Sequence, residues 1–122
     1  MKQTYETGLK GEETAESHLR KTRGMICLER RYRSKCGEID LIMKEGGTIV
    51  FVEVKTRLTA SPGTGMMSVN AAKQKRIAQA AAIYLMSTRQ MNRPVRFDVV
   101  EISRDSILHI PDAFQPGRMF YR

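Results

Sequence analysis

Two acidic residues stand out by their surroundings. Asp40 lies in Glu38-Ile39-Asp40-Leu41-Ile42-Met43, and Glu53 lies in Thr48-Ile49-Val50-Phe51-Val52-Glu53-Val54-Lys55-Thr56. Both stretches are rich in apolar and β-branched residues, as strands are. Lys44-Glu45-Gly46-Gly47 separates them, and Gly-Gly is a favoured two-residue hairpin turn because it accepts positive φ. With Gly46 and Gly47 as the turn, Asp40 falls opposite Glu53, and Glu38 falls opposite Lys55. Directly opposed residues share a face, with Cβ atoms ~4.5–5.5 Å apart. Lys55, two positions from Glu53, lies on that face as well. Two carboxylates so placed repel each other and lose hydration. A divalent cation offsets both costs, and oxygen-only ligands suit Mg²⁺ or Mn²⁺ better than zinc. A three-residue turn would instead send the two carboxylates to opposite faces, and no site would form.

The flanking elements must hold this hairpin. Residues 4–22 pattern as a helix, with Tyr5, Leu9, Ala15 and Leu19 on one face and Gly24 as its stop. Glu12 and Glu16 fall on that same inward face. Glu16 is expected to snorkel to water; Glu12 either does the same or serves a site. Residues 25–33 read as a first strand. The strand at 48–56 is apolar on both faces, which marks a central strand covered on both sides. Ile49, Phe51, Glu53 and Lys55 share one face of it, and Val50, Val52 and Val54 share the other. Residues 58–67 read as a loop, an ordinary connection rather than a gate. Ser68 is expected to cap a second helix running to about Arg89, with Val69, Ile77, Ala80, Ile83 and Tyr84 inward. Lys73 falls within that stripe and Arg76 near its edge. Lys73 either snorkels or pairs with a carboxylate, Asp40 and Glu53 being candidates.

Residues 95–102 form a fourth strand and 106–110 a short edge strand. Asp98 reads as a third acidic ligand or, preferably, as a structural partner for Arg57 or Lys73. Residues 112–122, with Phe114, Phe120 and Tyr121, form a tail whose last residues are expected to be mobile. The order α-β-β-β-α-β-β describes an α/β fold, a mixed central sheet flanked by helices. The strand after the second helix should run parallel to its neighbour, through a right-handed crossover.

At 122 residues the chain is expected to be one domain, 1–122. It has no apolar run of about 18 residues, so no membrane helix is expected. The start, Met1-Lys-Gln-Thr-Tyr-Glu, lacks the apolar core of a signal peptide, so a cytoplasmic location with no membrane partner is expected. Cys27 and Cys36 then read as reduced thiols, and their spacing fits no zinc motif. The net charge of +8 favours a polyanionic partner. Arg20, Lys21, Arg23, Arg30, Arg31, Arg33 and Lys35 cluster just before the hairpin, opposed there by Glu29 alone.

Asp40, twelve residues, then Glu53-Val54-Lys55 resembles the PD-(D/E)xK core of restriction-endonuclease-like nucleases. The helix carrying Glu12 resembles the acidic helix of the Holliday-junction-resolvase branch. Over nearly the whole chain the motifs resemble the YraN-like family of bacterial proteins: Gly8-x-x-Gly11-Glu12-x-x-Ala15, Gly37-Glu38-Ile39-Asp40-Leu41-Ile42, Val50 to Arg57, Ser68-Val69 with Lys73, Arg96 to Val100, and Asp112-Ala113-Phe114. The resemblance implies metal-dependent phosphodiester hydrolysis by an endonuclease acting on DNA, branched or Holliday-junction-like, with DNA favoured over RNA. It implies that Asp40, Glu53 and the Val54 carbonyl hold Mg²⁺ or Mn²⁺, with Glu12 ligating directly or through water. Lys55 would orient the attacking water or bind the scissile phosphate, and Lys73 would add a second cation. Arg30, Arg31, Arg33, Lys35 and Arg57 would grip the nucleic-acid backbone. Branched DNA calls for two sites, which a homodimer would supply. The alternatives are a nucleic-acid-binding module that does not cut, or a DNA-processing accessory protein on the same fold.

Overall fold

Seven elements make up the described residues, 5–57 and 69–115, of a computed structural model; side chains are described from Gly8 onward. They are α1 (Tyr5–Arg23), β1 (Ile26–Ser34), β2 (Gly37–Glu45), β3 (Thr48–Arg57), α2 (Ala71–Ser87), β4 (Val95–Ser103) and β5 (Ile107–Ile110). They form a single α/β domain around one mixed sheet in the order β1-β2-β3-β4-β5. β3 and β4 are parallel; every other neighbouring pair is antiparallel. The expected order of elements and the parallel pairing after α2 are both present.

The alternation in β3 sorts its side chains into two cores. Ile49 and Phe51 join Phe97, Val99 and the α2 residues Ile77, Ala80, Ala81, Tyr84 and Leu85. Val50 and Val52 join Val100, Leu41, Met43 and the α1 residues Ala15 and Leu19. A strand clad on both faces needs apolar residues throughout, which is why this stretch has no polar residue between Thr48 and Glu53. Phe51, Phe97 and Phe114 stack in a row, with centroids 5.4 and 5.2 Å apart. Phe114, at the start of the expected tail, therefore belongs to the core, and the backbone N–H of Ala113 donates to the Phe97 carbonyl at 2.7 Å. Phe120 and Tyr121 lie outside the described residues.

Local chemistry sets the element ends. After α1, Gly24 N–H donates to the Arg20 carbonyl and Met25 N–H to that of Leu19, closing the helix as expected. At α2 the cap is Asn70 rather than Ser68, which lies outside the described residues. The Asn70 side-chain oxygen accepts from Lys73 N–H at 2.9 Å, placing Lys73 in the first helical turn. Ser and Asn are equivalent caps by chemistry, so the choice depends on where the incoming chain turns. The helix ends at Ser87, and Ile83 is only half-buried. The hairpin turn pairs Glu45 with Thr48, and only Gly46 takes positive φ, 59°, the pattern of a turn with glycine first.

Glu16 corrects another expectation. It is buried, not snorkelling, and accepts two 2.8 Å hydrogen bonds from Arg30. Close packing of α1 on the sheet makes this reach feasible. A Cβ built on Gly11 would run into the Thr56 side chain of β3. Gly11→Ala is therefore expected to lower stability by roughly 1–2 kcal/mol, because overpacking outweighs the gain in helix propensity. A urea midpoint unchanged from wild type would show the contact to be soft. Among the described residues, no helix is long and apolar enough to cross a membrane.

Candidate functional site

β2 and β3 pair in the expected register from Glu45–Thr48 to Leu41–Val52. The recorded pairing stops there, one step short of Asp40 and Glu53. At Asp40 the alternation slips: Ile39 and Ile42 enter the α2-side core, while Leu41 and Met43 enter the α1-side core. On β1, between the pairs Arg30–Leu41 and Tyr32–Ile39, Arg31 adopts φ 51°. Such irregularities re-aim a side chain. Here Asp40 turns into the gap between β2 and β3, and its Oδ2 accepts the Val54 N–H at 2.8 Å. The carboxylates thus meet across an opening in the ladder rather than as a cross-strand pair. Burial, the charge of Glu53, the charge of Glu12 and a hydrogen bond with Glu53 outweigh the Val54 N–H and push the Asp40 carboxyl up to about 8.

Two lysines converge on Glu53, which is almost fully buried. Lys73 Nζ lies 2.5 Å and Lys55 Nζ 3.2 Å from the same oxygen, Oε2. Lys73 reaches it from the first turn of α2, so pairing is the answer to its place in an apolar stripe. Burial and the neighbouring Lys73 pull Lys55 below the ordinary lysine value, against the pull of Glu53. Burial opposes the charge of Lys73 too, but its bonds to Glu53 and Lys55 raise its pKa overall. Lys73 is thus a fixed cation, and Lys55 is the more readily deprotonated of the two.

Glu12, Asp40, Glu53, Val54, Lys55, Arg57 and Lys73 line one cleft of about 360 Å³, along with Gly8 and Thr56. The structure thus brings together the residues expected to do chemistry. It separates most of those expected to bind nucleic acid. Arg31 bonds Glu12 at 2.8 Å and Arg30 bonds Glu16, so α1 neutralises both. Arg33 lies 3.7 Å from Glu38 with both side chains mostly exposed, a pairing worth under ~1 kcal/mol. Lys35 is exposed. A second cleft of about 360 Å³, lined by Gly37, Glu38, Arg76 and Ile77, also reaches Asp40, Glu53 and Lys73. Arg76, not among the residues expected at the site, lines this cleft. Its signal was the three-residue spacing from Lys73, which puts both on one helix face.

Asp98 is structural, as preferred, but with other partners. It is level with Val52, so it faces α1 while Glu53 faces α2. Fully buried, it accepts from Arg96 at 2.9 and 3.0 Å and from Asp112 N–H at 2.9 Å, and it pairs with His109 at 2.8 Å. Neither Arg57 nor Lys73 reaches it.

The donor chemistry can be tested against a hard cation. No group of three or more His, Cys, Asp and Glu gathers as metal ligands among the described residues. Glu12 is held by Arg31, so toward a cation it would act through water. Asp40 and Glu53 remain, with the Val54 backbone beside them. Two carboxylates with the other positions left to water and substrate phosphate is the set Mg²⁺ accepts, since it dehydrates reluctantly. The pair lacks sulfur and nitrogen donors, so it does not suit zinc.

The sequence profile of the family described as "Uncharacterised protein family UPF0102" matches residues 11–102. A UPF0102 protein of Geobacter metallireducens is 43% identical over 112 residues, covering 88% of this chain and 91% of that protein. Another, of Alkalilimnicola ehrlichii, is 47% identical over 114 residues, covering 92% and 90%. Among solved structures, the crystal structure of SSO0001 matches with a TM-score of 0.42 at 17% identity, over 86% of this chain and 50% of that one. The chain belongs to the UPF0102 family, the YraN family that its motifs resemble.

Proposed function

We propose that this UPF0102 protein is a metal-dependent endonuclease that hydrolyses phosphodiester bonds in DNA. One observation carries the reading: Asp40 and Glu53 meet in a cleft that also presents Lys55 and Lys73. The PD-(D/E)xK resemblance and the net charge of +8 support it. Asp40, Glu53 and the Val54 carbonyl would hold Mg²⁺ or Mn²⁺. Such an ion supplies Lewis acidity to a phosphoryl oxygen and lowers the pKa of water.

The protein's own groups do the rest. Lys55, half-buried and held beside Glu53, orients the attacking water or binds the scissile phosphate. Lys73 stays charged and faces the phosphate. Glu12, pinned by Arg31, orients water at the edge of the cleft. Arg57 holds the adjoining backbone. Branched DNA, and a homodimer to engage it, remain part of this proposal. The rival reading is a nucleic-acid-binding module without catalysis, supported by the same net charge of +8.

Branched, nicked and single-stranded DNA incubated with Mn²⁺ or with EDTA separates the two. Cutting by wild type should require Mn²⁺. Lys55→Ala should cut about 100-fold more slowly, because the attacking water or the phosphate loses the cation that positions it. It should keep the thermal shift that Mn²⁺ induces, because both carboxylates remain. DNA binding with no Mn²⁺-dependent cutting of any substrate would leave only the binding module.

A further inference from the structure

We infer that the cleft runs through the acidic pair instead of ending at it, and that Arg57 and Arg76 grip the backbone on its two sides. The inference rests on the nuclease reading and names its substrate: a continuous strand that needs no free end. Two clefts of about 360 Å³ each share Asp40, Glu53 and Lys73 as walls. One is lined as well by Thr56 and Arg57, at the end of β3. The other is lined as well by Glu38 and Arg76, at the start of β2 and in the first half of α2. A pocket that recognises a terminus closes behind it. Among the described residues, this one continues on both sides of the reacting groups.

A polyanion crossing such a trench needs a cation in each limb. The charge distribution supplies them. Arg23, Arg30, Arg31, Arg33 and Arg96 each have a carboxylate partner. Arg57 and Arg76 have no ion pair among the described residues, and each lines one limb. Glu38 is the carboxylate that a strand would meet in the far limb, and Arg33 offsets it at 3.7 Å. Arg76 is also positioned. A Cβ on Gly37 would lie 3.4 Å from the Arg76 Cβ, so α2 and β2 approach closely at this point. The root of the Arg76 side chain is thereby set at the mouth of the limb, on the same helix face as Lys73.

The test is a salt titration of binding in EDTA, read by fluorescence anisotropy with a labelled single-stranded oligonucleotide. Arg57→Ala and Arg76→Ala should each lower the slope of log K against log salt by about 0.7, the share of one single-strand phosphate contact. The double variant should lose about twice that. Arg89→Ala, with Arg89 exposed beyond the end of α2, should match wild type. Circular dichroism should be unchanged in all. A second arm offers closed circular single-stranded DNA with Mn²⁺, and cutting is expected. Arg76→Ala binding like wild type would overturn the two-sided grip, even if circles are cut. Lowered slopes without any cutting would uphold the grip and overturn the nuclease reading. No DNA binding by wild type would overturn both.

Discussion

Asp40→Asn is expected to abolish Mn²⁺-dependent cutting, by on the order of 10³-fold, and at the same time to stabilise the metal-free protein. The two effects have one origin. Burial, the charges of Glu53 and Glu12, and the Glu53 hydrogen bond push the Asp40 carboxyl to about 8, from 3.8 in an unfolded chain. Between those values the folded protein keeps a proton that the unfolded chain has released. Stability on Asp40's account therefore falls as pH rises from about 4 to about 8, and above that the whole cost is present. It is on the order of a few kcal/mol. Asparagine carries no such charge. Its side-chain oxygen can still accept the Val54 N–H, and its NH₂ can donate to Glu53. Thermal melts in EDTA should show variant and wild type converging near pH 4 and the variant melting higher near pH 8. Adding Mn²⁺ should raise the melting point of wild type and leave Asp40→Asn unmoved. A variant that melts lower than wild type at alkaline pH would mean that the carboxylate pair is not in conflict.

Asp98→Ala is expected to unfold much of the protein, because it strips the charge from a buried network. Asp98 is fully inaccessible and satisfies Arg96, His109 and the Asp112 N–H at once. Arg96 also bonds Glu45 at 2.9 Å, and Glu45 bonds Arg23 at 2.8 Å, so the network ties β4 to β2 and to the end of α1. Removing its buried anion leaves Arg96 with Glu45 as its carboxylate partner and the Asp112 N–H without its acceptor, at about 3–5 kcal/mol. That is a large part of the ~5–15 kcal/mol that holds a domain together. Asp98→Asn retains an acceptor and should cost less. Burial raises the Asp98 carboxyl, but His109, Arg96 and Asp112 N–H outweigh it, and its pKa ends below the ordinary value of 3.8. Its contribution is therefore complete above about pH 4 and fades as pH falls through the lowered pKa. Urea unfolding at about pH 7 should rank wild type above Asn above Ala, with the Asn gap narrowing in acid. A midpoint for Asp98→Ala within error of wild type would remove the network from the account of stability.

The residues that conflict with their surroundings were the legible ones. Glu53 in an apolar strand, Lys73 in an apolar stripe and Glu12 on an inward helix face each announced a partner. The structure gives Glu53 and Lys73 to each other and leaves Glu12 to Arg31. Arg30 and Arg31 show what a pattern along the chain leaves out. Their clustering with like charges along the chain suggested free cations for a phosphate backbone. Their neighbours in space, Glu16 and Glu12, come from a helix fourteen and nineteen positions away. Arg76 escaped notice because an arginine at a helix edge breaks no rule.

What the chain by itself determined were features set by neighbours within a few residues. The two-residue turn at Gly46-Gly47 sets the register, the register sets the side of the sheet, and the period of two sends Glu53 and Lys55 to one face and Val52 to the other. Only the tertiary structure decided how the carboxylates meet. The slip at Asp40, opposite the φ of 51° at Arg31, opens the ladder and delivers the side chain to Val54 N–H. It alone decided which arginines are neutralised, since that depends on how closely α1 lies on the sheet, a distance set by Gly11 against Thr56. The physical reason is range. Turn geometry and strand period act through covalent neighbours, whereas ion pairs, and the limbs of a cleft, depend on where separate elements come to rest against one another.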